Sequence, residues 1–528
     1  MWQKLWHKIN NSVTGGAFLI AFFSFLSKIF GLFRERLIAH NFGASEMSYI
    51  YYSAFRLPDL IFNTLVLGAL TSAFIPVFQK VWLKNKEEGL ALASSVMNFF
   101  LIFVGALAII SYIFAPQIVP LFTPGFVEWQ MQDTVSLTRV MLLAIIFFVA
   151  SNVIGGVLNS WKKFFSFSLA ASFYNIGIIL GLALFYPMFG LIGLAWGVFL
   201  GAVLHLLVQL PEAIKNGWRY KFKLKFDSNL RKILKLMLPR ALGLAAGQVN
   251  LIVITMIAST LTAGSIAVFN LANNLQSLPI SLFAVSLAIA VFPTFTQAVN
   301  ENNKKMFADN FSTSVRRVLF LLIPVSILIL VLRAQIVRVV LGSGAFTWED
   351  TRNTAQALGL FAVSMFAQGL IPILARSFYA HEDTKTPMMI SIFSIVINIL
   401  LSWWLAQSMG VLGLALAFSI ASIINMLLLY ISLHSRVKDI DDNKIFRSLI
   451  MISINAVSAG AIAYAGLYML APMVNMQTFW GIFIQGVGAG SLGLLTYLIL
   501  SILFKLDEVD IVRRLIKKVW LLFANGKH

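Results

Sequence analysis

Lys28, Arg34, Glu35, Arg56 and Asp59 stand in stretches that are otherwise apolar. An ionisable group at the centre of a membrane span costs about 2.5 to 3.5 kcal/mol on insertion scales, so each is a candidate for function. Ser27, Gly31, Arg34 and Ile38 follow one helical stripe, with Lys28 and Glu35 on the adjoining one. Lys28 falls about 20 Å along such a helix from Gly15, close to mid-depth. Arg34 and Arg36 point about 200° apart, and Gly31 and Ser27 select Arg34 as the cavity-facing cation.

A guanidinium donates two parallel charge-assisted bonds to a phosphate, whereas an ammonium acts as a movable point charge. Arg34 with Lys28 therefore suggests a cradle for a diphosphate. Arg56, Asp59 and Asn63 form a second stripe around Pro58, which frees backbone groups that a polar cavity would satisfy. Further along, Asn270, Asn273, Asn274 and Ser277 form a neutral stripe just before Pro279. Each feature also has a plainer reading: an Arg34/Glu35 interfacial pair, a self-neutralising Arg56/Asp59 pair, and an asparagine stripe that glues helices. Catalytic and metal sites are not expected. There is no cysteine, the nucleotide-binding, zincin and nucleophile-elbow motifs are missing, and Asp439, Asp441 and Asp442 read as a solvated turn in a basic loop.

The elements that must carry these residues are membrane helices. Of 528 residues 59% are hydrophobic and 12% charged, which excludes an ordinary soluble domain. Fourteen apolar segments are long enough to span a bilayer: 13–39, 48–80, 91–115, 131–158, 164–187, 190–211, 233–260, 264–297, 312–334, 352–377, 386–408, 410–433, 447–471 and 477–504. The N-terminal stretch reads as an uncleaved first span, since no cleavage site follows it. With the N-terminus inside, 32 of the 40 lysines and arginines fall in cytoplasmic segments, so both termini are expected in the cytoplasm. The net charge of +19 then indicates contact with anionic membrane lipids, not nucleic acid. Residues 505–528 alternate apolar and basic positions, as in an amphipathic helix on a lipid surface.

The chain also repeats itself. Ile38-Ala39 and Phe42 to Ser45 answer Ile257-Ala258 and Leu261 to Ser265 at an offset of 219, Leu57-Pro58 answers Leu278-Pro279, and Gly190 to Ala195 answers Gly410 to Ala415. Six spans lie between matched positions, so the copies share one orientation, the parallel-repeat plan of transporters. The expected fold is all-α, with six-helix lobes at 1–215 and 216–440 around a central cavity, two added helices at 441–504 and a tail at 505–528.

Leu26 to Glu35, then Ala54 to Leu60, Thr123 to Phe126, Leu158 to Phe164, Gln209 to Pro211 and Phe378 to Pro387 resemble, in this order, the MviN/MurJ family of lipid II flippases. The resemblance implies a fourteen-helix member of the multidrug/oligosaccharidyl-lipid/polysaccharide exporter superfamily in a bacterial inner membrane. Such a protein moves undecaprenyl-diphosphate-linked peptidoglycan precursor to the outer leaflet by alternating access for cell wall synthesis. It is a transporter without catalytic residues or a bound cofactor, expected as a monomer, and is driven by the membrane potential or a monovalent cation, with Asp59 and Asp383 as cation candidates. Ser27, Gly31 and Arg34 match family positions, while Lys28 replaces an arginine and Glu35 an aspartate. Phe62, Leu67, Asn274 and Tyr49 stand where the family usually has charged residues. Alternatives are an exporter of another polyprenyl-linked glycan or of a drug, and a membrane scaffold or interfacial enzyme.

Overall fold

The computed structural model describes residues 13–222 and 224–510. Most of the predicted amphipathic tail, from 511 onward, lies outside the described residues, as do Lys4 and Lys8. All fourteen predicted segments are helical. Among the described residues eleven helices are each long and apolar enough to cross a membrane, and a bent pair brings the number to twelve. The first two predicted spans are helical as well, but carry the charges discussed above.

The chain divides into two compact units, one of residues 1–267 with 343–346 and one of residues 268–342 with 347–528. In the first unit, α1 (Val13–Phe42) is followed by a broken span: α2 (Glu46–Ala54), α3 (Arg56–Ile61), a wide π-turn segment (Phe62–Leu70) and α4 (Thr71–Lys84). Pro58 and Pro76 cannot donate backbone bonds, and the π segment absorbs the mismatch. Then come α5 (Lys86–Ile113), α6 (Ala115–Phe122), α7 (Glu128–Ser160), α8 (Phe164–Leu180), α9 (Tyr186–Phe189), α10 (Ile192–Leu207), α11 (Leu210–Lys215) and α12 (Ser228–Ser259). The span that the repeat assigns to the start of the second copy, α12, thus packs within the first unit.

Close helix approach in this unit depends on missing side chains. A Cβ at Gly177 would sit 2.2 Å from the Cα of Gly201, and one at Gly181 2.2 Å from the Cα of Gly197, so α8 and α10 cross backbone to backbone. Dispersion and small residues, not hydrophobicity, drive such pairing in lipid. Elsewhere the helix starts are fixed by side chains. Asn85 accepts from the backbone of Glu87 and Glu88, and Asp227 accepts from Leu230.

The second unit holds α13 (Ser265–Pro279, entering it at Val268), a further π segment (Ile280–Val285), α14 (Ser286–Asn300), α15 (Lys304–Leu341), α16 (Trp348–Ala362), α17 (Met365–Ala380), α18 (Lys385–Met409), α19 (Val411–Arg436), α20 (Asp442–Leu470) and α21 (Phe479–Leu503). The proline, π segment, proline order of the second span recurs as Pro279, Ile280–Val285 and Pro293, so the internal repeat extends to the irregularities. Between α16 and α17 the chain bends by 46°. A hydroxyl satisfies a carbonyl freed there: Ser419 donates to Leu360 O. Beyond α21, Asp507 and Glu508 return to Arg316, and Ser448 donates to Glu508.

Candidate substrate site

Within the first unit, α1 presents its charged turn to α8 and α2. Arg34 donates from Nη1 to Asn175 Oδ1 at 3.1 Å and from Nη2 to Glu35 Oε1 at 2.5 Å. Glu35 is buried and accepts a second bond from the Tyr52 hydroxyl. The Asn175 amide donates in turn to Ser27 O and Oγ at 3.2 and 3.3 Å. Three predicted residues, Ser27, Arg34 and Glu35, therefore form one network with two that the sequence did not single out. Gly31 lies in the same turn, where an added Cβ would meet Asn175 Oδ1 at an ordinary 3.8 Å, so Gly31 is not demanded by space. Lys28 is half-buried on the same helix.

The network is incomplete in one respect. Arg34 Nε and the Tyr51 hydroxyl are buried without a hydrogen-bond partner among the described residues. Arg34 therefore keeps a donor, held in place by Asn175 and Glu35, available to an anion. Arg34 and Arg56 both lie within charge–charge reach of Asp59. Arg56 is buried and donates from Nε to Thr255 Oγ1 on α12 at 2.6 Å, so its guanidinium is anchored across helices as well as beside Asp59. Phe62, where the family resemblance leads one to expect a cation, stacks against Phe148 with ring centroids 4.6 Å apart. An aromatic contact fills that place.

In the second unit, Asn270 and Asn274 are half-buried on α13. A buried amide chain runs beside them: Gln276 donates to Asn273 Oδ1, Gln368 donates to both Gln276 Oε1 and Ser364 Oγ, and Ser364 donates to Ser419. This joins the asparagine stripe to the bend between α16 and α17. An apolar groove of about 380 Å³ lies at the same bend, lined by Ile323, Ile327, Leu330, Val363, Phe366 and Leu449 among others. Its lining suits hydrocarbon and not a charged headgroup.

Other motifs prove to be architectural. Gln209 donates to Ser151 Oγ at 2.6 Å and to His205 O at 3.0 Å, tying α7 to α10. In the turn before α18, Glu382 adopts φ +58° and Asp383 accepts from the backbone of Lys385 and Thr386 while pairing with Arg436 at 2.5 Å. Asp441 caps α20, and Asp442 accepts from the Tyr430 hydroxyl. No cluster of three or more metal-binding side chains occurs among the described residues.

A repeated, proline-broken, all-helical bundle with arginines held among its apolar helices defines a multispan membrane transporter. A solved multidrug resistance MATE family transporter of the MOP superfamily, at 16% identity and a TM-score of 0.66 over 79% of this chain and 96% of that one, shares the fold. The profile of the family "Lipid II flippase MurJ" matches residues 38–484. A probable lipid II flippase MurJ of Buchnera aphidicola subsp. Schizaphis graminum is 32% identical over 423 residues, 79% of this chain and 82% of the relative. The solved structure of lipid II flippase MurJ in an inward closed conformation superposes with a TM-score of 0.78 at 29% identity, covering 93% of this chain and 99% of that one. The chain belongs to the MurJ lipid II flippase family, and is a multi-pass inner-membrane transporter, not an enzyme.

Proposed function

We propose that the chain flips lipid II from the inner to the outer leaflet of the cytoplasmic membrane for peptidoglycan synthesis, with Arg34 as the principal contact to the diphosphate. The observation that carries the site is the half-buried Arg34 guanidinium, fixed by Asn175 and Glu35 but left with an unpartnered Nε. A fixed donor in a low-dielectric site loses little entropy on meeting an anion and is stronger there than in water. Lys28 and Arg56 add positive charge, and Asp59 supplies a further polar contact. The isoprenoid tail stays in hydrocarbon.

The headgroup passes outward by alternating access. An inside-negative potential favours outward movement of a negative headgroup by about 2.3 kcal/mol per charge per 100 mV. Asp59 is the better candidate for a coupling cation, because both oxygens of Asp383 are already engaged. Both termini face the cytoplasm, where the basic loops meet anionic lipid, and the protein acts as a monomer.

The test is outer-leaflet exposure of lipid II in cells depleted of their own flippase. Wild type is expected to restore exposure, with Arg34→Ala at equal abundance failing and Arg56→Ala weakened. Restoration by Arg34→Ala equal to wild type would remove the arginine from the transport step, and no restoration by folded wild type would overturn the reading.

A further inference from the structure

The first unit contains a second positively charged cavity, away from the Arg34 network. It has a volume of about 540 Å³ and lies between α4, the first turn of α5 and the first turns of α12. Lys80, Lys84 and Lys232 line its rim with Asn229 and Glu88, and Pro76, Val77, Val81 and Leu236 form its apolar wall. Lys80 and Lys84 are four residues apart on one face of α4, and none of the three lysines makes a salt bridge among the described residues. Like-charged neighbours on one helix face repel, so three ammonium groups around one cleft, with the single carboxylate of Glu88 and no salt bridge, leave an excess of positive charge that a bound anion would offset.

We infer that this cleft is a binding site for a resident anionic phospholipid, its phosphate held by Lys80, Lys84 and Lys232 and its glycerol and upper acyl chains against Pro76, Val77 and Leu236. The combination of cationic rim and apolar wall fits a lipid better than a free phosphate, which would leave the wall uncovered. The rim has lysines and no arginine fork, and Glu88 faces the same space. Both features suit a monoanionic phosphodiester over a multiply charged diphosphate, since a point charge makes no bidentate demand and a carboxylate repels each added negative charge. A lipid seated there bridges the lower half of the broken second span to α12, two elements otherwise joined through apolar packing.

The test uses the full-length protein in neutral detergent, with thermal melting followed during titration by phosphatidylglycerol, phosphatidylcholine or undecaprenyl diphosphate. Phosphatidylglycerol is expected to raise the melting temperature and phosphatidylcholine not to. The triple variant Lys80→Gln/Lys84→Gln/Lys232→Gln should need at least about tenfold more phosphatidylglycerol, from roughly fivefold per lysine near an anionic lipid. The variant Lys304→Gln/Lys305→Gln/Lys438→Gln loses the same charge outside the cleft and should titrate like wild type. Equal response to the two phospholipids, an unchanged triple variant, an equal loss in the control variant, or a response to undecaprenyl diphosphate in place of phosphatidylglycerol would each overturn the proposal.

Discussion

Arg34 is held by one bond along its own helix and one from a residue 141 positions away. Charge alone is therefore not its role, and Arg34→Lys keeps the charge while losing the two-sided hold. Arg34→Lys is expected to keep normal abundance but restore less than about a tenth of wild-type lipid II exposure; full restoration would show that positive charge suffices. Two glycines give opposite expectations. A Cβ at Gly125 would fall 1.9 Å from Ser259 O, a backbone atom that cannot step aside, whereas one at Gly31 meets only ordinary contact. Gly125→Ala should sharply reduce folded protein in the membrane and Gly31→Ala should leave it unchanged, as fluorescence-detected size exclusion would report. Ser27, Arg34 and Glu35 were legible in the sequence because polar groups are conspicuous among apolar ones. Asn175, Tyr52 and Thr255 were not, because partnership across helices leaves no local pattern.

At the scale of elements, the irregular turns matter most. The bend between α16 and α17 is stable because Ser419 supplies a donor to a carbonyl that the helix no longer satisfies. Ser419→Ala leaves Leu360 O without that donor in an apolar surround, and an unsatisfied buried acceptor costs about 1 to 3 kcal/mol. A lower melting temperature in detergent is expected for Ser419→Ala; Ser422→Ala, whose hydroxyl only donates within its own helix to Phe418 O, should change it little. The sequence located all fourteen helical segments, since apolar length is a local property. It also placed the prolines, but the π segments after Pro58 and Pro279 and the break at Ser364 depend on which neighbouring helix satisfies the freed groups.

Across the whole molecule, the polar turns that close each unit respond to pH as well as to packing. Burial alone would raise the Asp383 carboxyl, but hydrogen bonds from Thr386 and Arg436 and the Arg436 charge outweigh it and hold the group down at about 2. Its folded value lies below the ordinary value near 4, so this turn contributes stability above about pH 4 and loses it as pH falls toward 2. Wild type should melt above Asp383→Asn at pH 6, with the gap shrinking below about pH 4 and closing near pH 2; a gap undiminished at about pH 2 would mean that the carboxylate charge is not what counts. By itself the sequence determined membrane class, helix positions, the parallel repeat and the charged turn of α1, because each follows from composition or from spacing along one helix. Only the tertiary structure decided that α12 packs with the first unit, that Phe148 fills the space beside Phe62, that Asn175 and Thr255 hold the two arginines, and that Asp383 serves as a cap. Those outcomes depend on which side chains meet across helices far apart in the chain, and a bilayer whose hydrocarbon is as apolar as the helix faces exerts no force that specifies that choice.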